Sequence, residues 1–67
     1  MSFVLAANQV RPGARISTHD GRCERVQAIR WIADPGELRF DVKLPNGGSD
    51  ARRYWPDERV TLLARWE

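Results

Sequence analysis

Basic and aromatic side chains stand next to one another at two places in the sequence. Arg30 is followed by Trp31, and Arg52-Arg53 is followed by Tyr54-Trp55. Nucleic acid is bound by such a mixture, because cations contact phosphates and aromatic rings stack on bases. The residue type also suits phosphate, since ten of the eleven basic residues are Arg, whose planar fork of donors fits a phosphate group. The predicted contact residues are Arg30, Trp31, Arg39, Lys43, Arg52, Arg53 and Tyr54.

Residues suited to catalysis or metal binding are few and scattered. His19 is the single histidine and lies in a His19-Asp20-Gly21 turn, where an exposed polar residue is expected. Cys23 has no second cysteine or nearby histidine to complete a zinc site, so we expect a partly buried structural side chain. The adjacent pair Asp57-Glu58 is expected to cap a turn. The sequence therefore predicts no enzyme in this chain alone, with no cofactor and no metal.

Length and composition limit the architecture to one small domain. The chain has 67 residues, 42% of them hydrophobic, with a net charge of +2 and a pI near 9.3. No apolar run approaches the roughly 20 residues that a membrane helix needs. The first nine residues lack the basic start and long apolar stretch of a signal peptide. With one cysteine there is no internal disulfide, so we expect a cytoplasmic protein without a membrane partner.

Gly and Pro recur at short intervals and predict an all-β fold. The clearest strand is Leu38–Leu44, in which apolar residues alternate with Arg39, Asp41 and Lys43. Asn46-Gly47 follows, a pair that favours a tight hairpin turn, so Ser49–Trp55 should return antiparallel. Alternation puts Arg52 and Tyr54 on one face of that strand and Arg53 and Trp55 on the other.

Three further segments complete five predicted strands. Glu24–Ile32 is apolar on both faces, which indicates a bulge in a long strand, with a helix as the alternative. Ala14–Thr18 and Val60–Ala64 are short strands, and Pro56-Asp57-Glu58 forms a short 3₁₀ turn before the last strand. We expect Trp31 and Trp55 to fill the interior of a small barrel. The predicted core also contains Ile16, Val26, Phe40, Val42, Val60 and Leu62.

The order of these signals resembles the small SH3-like barrels of the Tudor and KOW kind. Val10-Arg11-Pro12-Gly13-Ala14-Arg15-Ile16 is similar to their opening phrase, and Pro56–Val60 to the short 3₁₀ turn before their closing strand. The resemblance covers residues 10 to 64. It implies a five-stranded SH3-like barrel over residues 10–67, preceded by an N-terminal arm or an extra strand over residues 1–9.

Within that group the chain resembles the barrel domain at the N-terminus of bacterial Snf2-type and related ATP-dependent helicases. The resemblance implies a non-catalytic accessory domain that contacts DNA or RNA weakly through phosphate, or contacts the motor domains of the same chain. A motor would lie beyond Glu67, because the sequence contains no Gly-x-x-x-x-Gly-Lys-Ser/Thr phosphate loop.

Two alternatives stay open. A protein-interaction module is one, because small barrels offer strand edges and Arg with Trp is a common composition at protein interfaces. A subunit of an oligomeric barrel enzyme is the other, through a likeness to the plasmid-borne type II dihydrofolate reductases. Ala51-Arg52-Arg53-Tyr54-Trp55 lacks the Gln and Ile of their Val-Gln-Ile-Tyr phrase.

Overall fold

The computed structural model describes residues 2–18 and 21–64; the predicted turn residues His19 and Asp20 and the last three residues lie outside this part. Its elements are β1 (Phe3–Ala6), a 3₁₀ helix (Ala7–Gln9), β2 (Arg15–Ser17), β3 (Cys23–Ile32), β4 (Glu37–Lys43), β5 (Ser49–Tyr54) and β6 (Arg59–Ala64). The all-β prediction is confirmed. No helix of the described residues is long and apolar enough to cross a membrane.

All six strands form one antiparallel sheet in the order β1-β6-β2-β3-β4-β5. The prediction of a closed, five-stranded barrel is therefore wrong, since the sheet is open and has a sixth strand. The reason lies at β6, which pairs with β2 on one side and with β1 on the other, from Phe3 opposite Leu62 to Ala6 opposite Arg59. With both its edges occupied, β6 cannot pair with β5, and β1 and β5 remain the two free edges.

The predicted hairpin of β4 and β5 is confirmed, with six residue pairs from Leu38 opposite Tyr54 to Lys43 opposite Ser49. Its turn differs from the expected Asn-Gly type. Leu44 N donates to Gly48 O and Gly47 N donates to Leu44 O, at 2.8 and 3.0 Å, which encloses a three-residue loop. Within this loop Gly47 alone has a positive φ (89°), while Asn46 accepts a hydrogen bond from Gly48 N through its side chain. Pro45 fits the first central position of such a turn.

The predicted bulge in β3 is also confirmed, and the helical alternative is excluded. Val26 lies opposite Val42, whereas Ala28 lies opposite Asp41, so Gln27 is the extra residue. The insertion reverses the alternation of side chains, so inward apolar residues have even numbers before the bulge and odd numbers after it. Before the bulge Val26 faces the core, and after it Ile29 lies opposite Phe40 on the same face.

The 3₁₀ segment lies elsewhere than predicted. It is Ala7–Gln9, after β1, whereas residues 55–58 form a single turn in which Glu58 N donates to Trp55 O. The Glu58 carboxylate accepts a hydrogen bond from Trp55 N at 3.1 Å and so caps this turn. Ala7 N and Asn8 N donate to Glu58 O and Pro56 O. Backbone N–H groups of the N-terminal segment therefore take the place of water at the carbonyl oxygens of this turn.

The core is one cluster on the inner face of the curved sheet. It contains all six predicted residues, and Ala7, Val10 and Ala14 complete it. Phe40 is fully buried, and its ring lies 4.9 Å from that of Tyr54, centroid to centroid.

The two tryptophans do not fill this core, contrary to expectation. Trp31 is 58% exposed and Trp55 is 53% exposed. Trp31 lies near the end of β3, past the bulge and beyond the residues that surround Phe40, so its ring reaches toward the backbone of Gly36. Cys23 is also exposed rather than partly buried. Phe40 with aliphatic side chains is enough to fill an interior this small.

Substitution of the central ring should unfold much of the protein. Phe40→Ala removes a fully buried side chain from the middle of the sheet, and we expect a loss of about 3–5 kcal/mol in the free energy of unfolding. Leu63→Ala is the matched control, because Leu63 is 41% exposed, and it should cost about 1 kcal/mol or less. Urea denaturation measures both. Equal losses for the two variants would contradict the assignment of Phe40 to the core.

Candidate nucleic-acid interface

Strand pairing sorts the basic residues onto the two faces of the sheet. Residues directly opposite one another on neighbouring strands point to the same side. We call the side of Phe40 the inner face and the other side the outer face. On strands β2 to β5 the outer face carries six cations, in two rows that run across the strands.

The first row consists of Arg15, Arg25 and Lys43, and we call it the Lys43 row. Arg15 lies opposite Arg25, and Arg25 lies opposite Lys43, so one cation from each of three neighbouring strands stands side by side. All three residues are exposed. Within the part of the chain that the structure describes, no carboxylate forms an ion pair with any of them. Their charges face solvent uncompensated.

The second row, the Arg39 row, consists of Arg30, Arg39 and Arg53. Arg30 lies opposite Arg39, and Arg39 lies opposite Arg53. Asp41 Oδ2 is 3.5 Å from Arg30 Nε and its Oδ1 is 3.4 Å from Arg39 Nε, while Glu37 Oε1 is 3.5 Å from Arg53 Nη1. These contacts are long, and the three arginine side chains are 49–73% exposed, so the contacts hold the arginines only weakly.

Between the two rows lie three residues with short side chains, one of them charged, which we call the band. Ala28, Asp41 and Ala51 stand opposite one another across β3, β4 and β5. The six cations and the carboxylates of Asp41 and Glu37 give this face a formal charge of +4. The whole chain carries only +2. Charge is therefore concentrated on the outer face rather than spread over the surface.

Arg52, by contrast, points to the inner face and is occupied there. Its Nε donates to Glu24 Oε1 (3.0 Å) and its Nη2 donates to Glu24 Oε2 (2.6 Å), so the pair is bidentate. Its Nη1 donates to Asp50 Oδ2 at 3.0 Å. Glu24 is fully buried, and Arg52 is 30% exposed. Three of its five donors serve carboxylates of the same chain, so Arg52 has little left for an external phosphate.

This arrangement changes the titration of both partners on β5. The hydrogen bonds to Glu24 raise the pKa of the Arg52 guanidinium beyond its ordinary value. The hydrogen bond from Ala51 N, followed by the hydrogen bond and the charge of Arg52, holds the pKa of the Asp50 carboxyl below its ordinary 3.8. The contribution of Asp50 to stability is therefore present above pH 3.8 and is lost as the pH falls through the lower folded pKa.

The structure thus brings together four of the seven sequence-predicted contact residues: Arg30, Arg39, Lys43 and Arg53. Arg52, Tyr54 and Trp31 share the opposite face, as their pairing with Phe40 and Leu38 shows. Arg15 and Arg25 join the site although the sequence reasoning missed them. Arg15 precedes the inward residue Ile16, and Arg25 precedes the inward residue Val26. Strand alternation in the sequence is therefore enough to predict that both arginines point outward.

Metal binding finds no support in the described residues, where no group of three or more His, Cys, Asp or Glu side chains converges. A shallow polar cavity lies between β5 and the β2–β6 pair, lined by Ser17, Thr18, Arg52, Tyr54, Glu58, Arg59, Val60 and Thr61. Of the two cations that line it, Arg59 is exposed, and Arg52 is neutralised by Glu24 and Asp50. The chemistry that the geometry offers is phosphate binding on the outer face.

Removal of the internal cation should destabilise the fold far more than removal of its exposed neighbour. Arg52→Ala leaves the buried Glu24 carboxylate unpaired and should cost about 3–5 kcal/mol of unfolding free energy. Arg53→Ala is the matched control and should cost about 1 kcal/mol or less. The double variant Glu24→Met/Arg52→Met should recover most of the loss, because it removes both charges. Chemical denaturation would contradict this account if Arg52→Ala and Arg53→Ala proved equally stable.

Tyr54 offers a spectroscopic test of the inner face, because it is the only tyrosine. Burial raises the pKa of its phenol above the ordinary 10.0, and the charge of Arg52 offsets part of this effect. Phenolate absorbance should therefore rise at a higher pH in the folded protein than in denaturant. The contribution of the neutral Tyr54 phenol to the free energy of unfolding is fully present below pH 10. It is lost as the pH rises through the pKa of the folded state. An identical titration in the folded and denatured states would contradict the burial.

Comparison with protein-family models, with curated proteins and with solved structures finds no match to this chain. The likeness to SH3-like barrels and to helicase accessory domains therefore stays a prediction from the sequence.

Proposed function

We propose that this chain is a non-catalytic module that binds nucleic acid through phosphate contacts on the outer face of β2 to β5. One observation carries the proposal: the Lys43 row and the Arg39 row place six cations on one side of four neighbouring strands. Phosphate contacts supply most of the affinity of sequence-independent nucleic-acid binding. Arg and Lys side chains in an exposed row are suited to make them.

The cost of the two rows to folding supports a functional reading. Like charges directly opposite one another destabilise a strand pair, and each row contains two such pairs. The Lys43 row lacks even the partial relief that Asp41 and Glu37 give to the Arg39 row. A bound phosphate backbone would remove this repulsion. Selection for binding explains why residues that oppose strand pairing are present in the middle of the sheet.

The affinity should be modest. The net charge of the chain is +2, and part of the outer face is compensated by Asp41 and Glu37. We expect dissociation constants in the range of non-specific contacts, about 10⁻⁴–10⁻⁶ M at physiological salt. Such a module contributes to binding mainly when it is tethered to a partner that also holds the nucleic acid.

The biological context is part of the proposal and rests on the sequence resemblance. An SH3-like accessory domain beside the motor of a cytoplasmic, bacterial ATP-dependent helicase would need weak, sequence-independent contacts of this kind. The outer face supports contact with nucleic acid, whereas the link to a helicase motor rests on the sequence resemblance alone.

A protein-interaction module is the second candidate, and a specific observation favours it. The edge strand β1 is open and carries four apolar residues, and Trp31 and Trp55 are more than half exposed. Open apolar edges and exposed rings are common in protein interfaces. This reading leaves the two cation rows unexplained, so we place it second.

Charge reversal in the Lys43 row tests the proposal without touching the core. Arg25→Glu/Lys43→Glu should abolish the binding of a labelled duplex at low salt, measured by fluorescence anisotropy, because phosphates are then repelled. The matched control is Arg11→Glu/Arg59→Glu, which changes the net charge equally at exposed residues outside both rows. It should lower affinity by less than about tenfold through the general field of the protein.

Two results would contradict the proposal. One is the absence of binding to any nucleic acid at low salt by the folded wild-type chain. The other is an equal loss for the two double variants, which would mean that net charge rather than the outer face determines binding. Far-UV circular dichroism confirms that each variant is folded.

A further inference from the structure

We infer that the outer face takes a duplex, with the Lys43 row on one phosphate backbone and the Arg39 row on the other, on either side of a groove. The inference rests on the proposed function and specifies its ligand. Three features of the face carry it: the lack of rings between the rows, the distance between the rows, and the carboxylate between them.

The first feature is the absence of a stacking platform. Single-stranded nucleic acid is held by cations together with rings on which its bases stack. Between the two rows, the outward positions on β3, β4 and β5 are Ala28, Asp41 and Ala51, and the bulge residue there is Gln27. Trp31 and Tyr54 point to the other face. A face built this way contacts the phosphate backbone, and it has no ring between its two rows on which a base could stack.

The second feature is the spacing. Lys43 and Arg39 are four residues apart on β4, which corresponds to about 13 Å along a strand. The grooves of a B-form duplex are about 6 and 12 Å wide, so two backbones that border one groove are separated by a comparable distance. Within a row, the three cations span about 10 Å across neighbouring strands, so they can follow one backbone. The groove would then run across the strands, with β4 crossing beneath it.

The third feature is Asp41, which stands at the centre of the band. Its carboxylate is 27% exposed and lies 3.4–3.5 Å from the Nε atoms of Arg30 and Arg39. A phosphate above it would meet a negative charge, so the favourable phosphate positions fall on two separate lines. A duplex satisfies this pattern because its phosphates lie on two lines. A single strand that reaches from one row to the other has to pass over Asp41.

The test compares three labelled ligands of one sequence: single-stranded DNA, duplex DNA and duplex RNA. We expect at least one duplex to bind the wild-type chain about tenfold or more tightly than the single strand, since only a duplex engages both rows. Duplex DNA and duplex RNA differ in groove shape, so the duplex that binds more tightly shows which of the two nucleic acids fits the outer face. A single strand that binds as tightly as both duplexes overturns this inference and leaves the proposed function intact. No binding to any of the three rejects the proposed function itself.

Asp41→Asn separates the duplex geometry from a general preference for charge. Removal of the central carboxylate should raise the affinity for the single strand more than that for the duplex, because only the single strand has to cross the band. A larger gain for the duplex overturns the inference. Lys43→Gln and Arg39→Gln are the companion variants. Each should narrow the preference for duplex, and an unchanged preference in both would contradict the use of two rows.

The only cysteine reports where the ligand lies. Cys23 is exposed, opposite Ser17 and two residues from Arg25, next to the Lys43 row. A saturating duplex should slow its alkylation by a thiol reagent several-fold. The Arg25→Glu/Lys43→Glu variant at the same duplex concentration should show no slowing. Equal alkylation rates with and without duplex, at a concentration that saturates the wild-type chain, would place the ligand elsewhere and overturn the assignment.

Discussion

A fully buried carboxylate in a six-stranded sheet imposes the main constraint on this protein. Glu24 cannot stay charged inside without a partner, and Arg52 reaches it from β5 across the inner face with two hydrogen bonds. The pair connects the edge strand β5 to β3, with β4 between them. Because side chains alternate along a strand, Arg52 inside requires Arg53 outside, opposite Arg39. The internal pair therefore places Arg53, one of the six cations, on the outer face.

The same pair gives the register of β5 a specific reason. A slip of one residue would turn Arg52 outward, leave Glu24 unpaired and bring Ala51 and Arg53 against the core. A buried ion pair adds little to stability compared with apolar residues, but the loss of one partner is severe. Apolar burial around Phe40 thus supplies the stability of the sheet, while Glu24 and Arg52 select one arrangement of its last hairpin. This selection matters here, since repulsion within the cation rows opposes the pairing that the core favours.

The parts of the fold that depend on local pattern could be predicted from the sequence, whereas those that depend on distant partners could not. Alternation along Leu38–Leu44 predicted the hairpin and the burial of Phe40 and Val42, and the mixed parity of β3 predicted its bulge. The prediction of a closed barrel was wrong because β1, from the other end of the chain, pairs with the edge of β6 that a closed barrel would need. Alternation showed that Arg52 and Arg53 face opposite ways, yet the choice between them is made by Glu24, 28 residues away. The sequence predicted four of the six cations in the rows and missed Arg15 and Arg25 for the same reason, since a row across three strands exists only once the register is known.

The dependence of duplex affinity on salt tests the central claim most directly, namely that the outer face contacts phosphate while Arg52 stays inside. With four to six phosphate contacts, the logarithm of the binding constant should fall with the logarithm of salt concentration at a slope between about −3.5 and −5.5. The Glu24→Met/Arg52→Met variant should show the same slope, because Arg52 releases no counterion in the wild-type complex. A wild-type slope shallower than about −2, or a slope about one unit shallower in the double variant than in the wild type, would contradict the account.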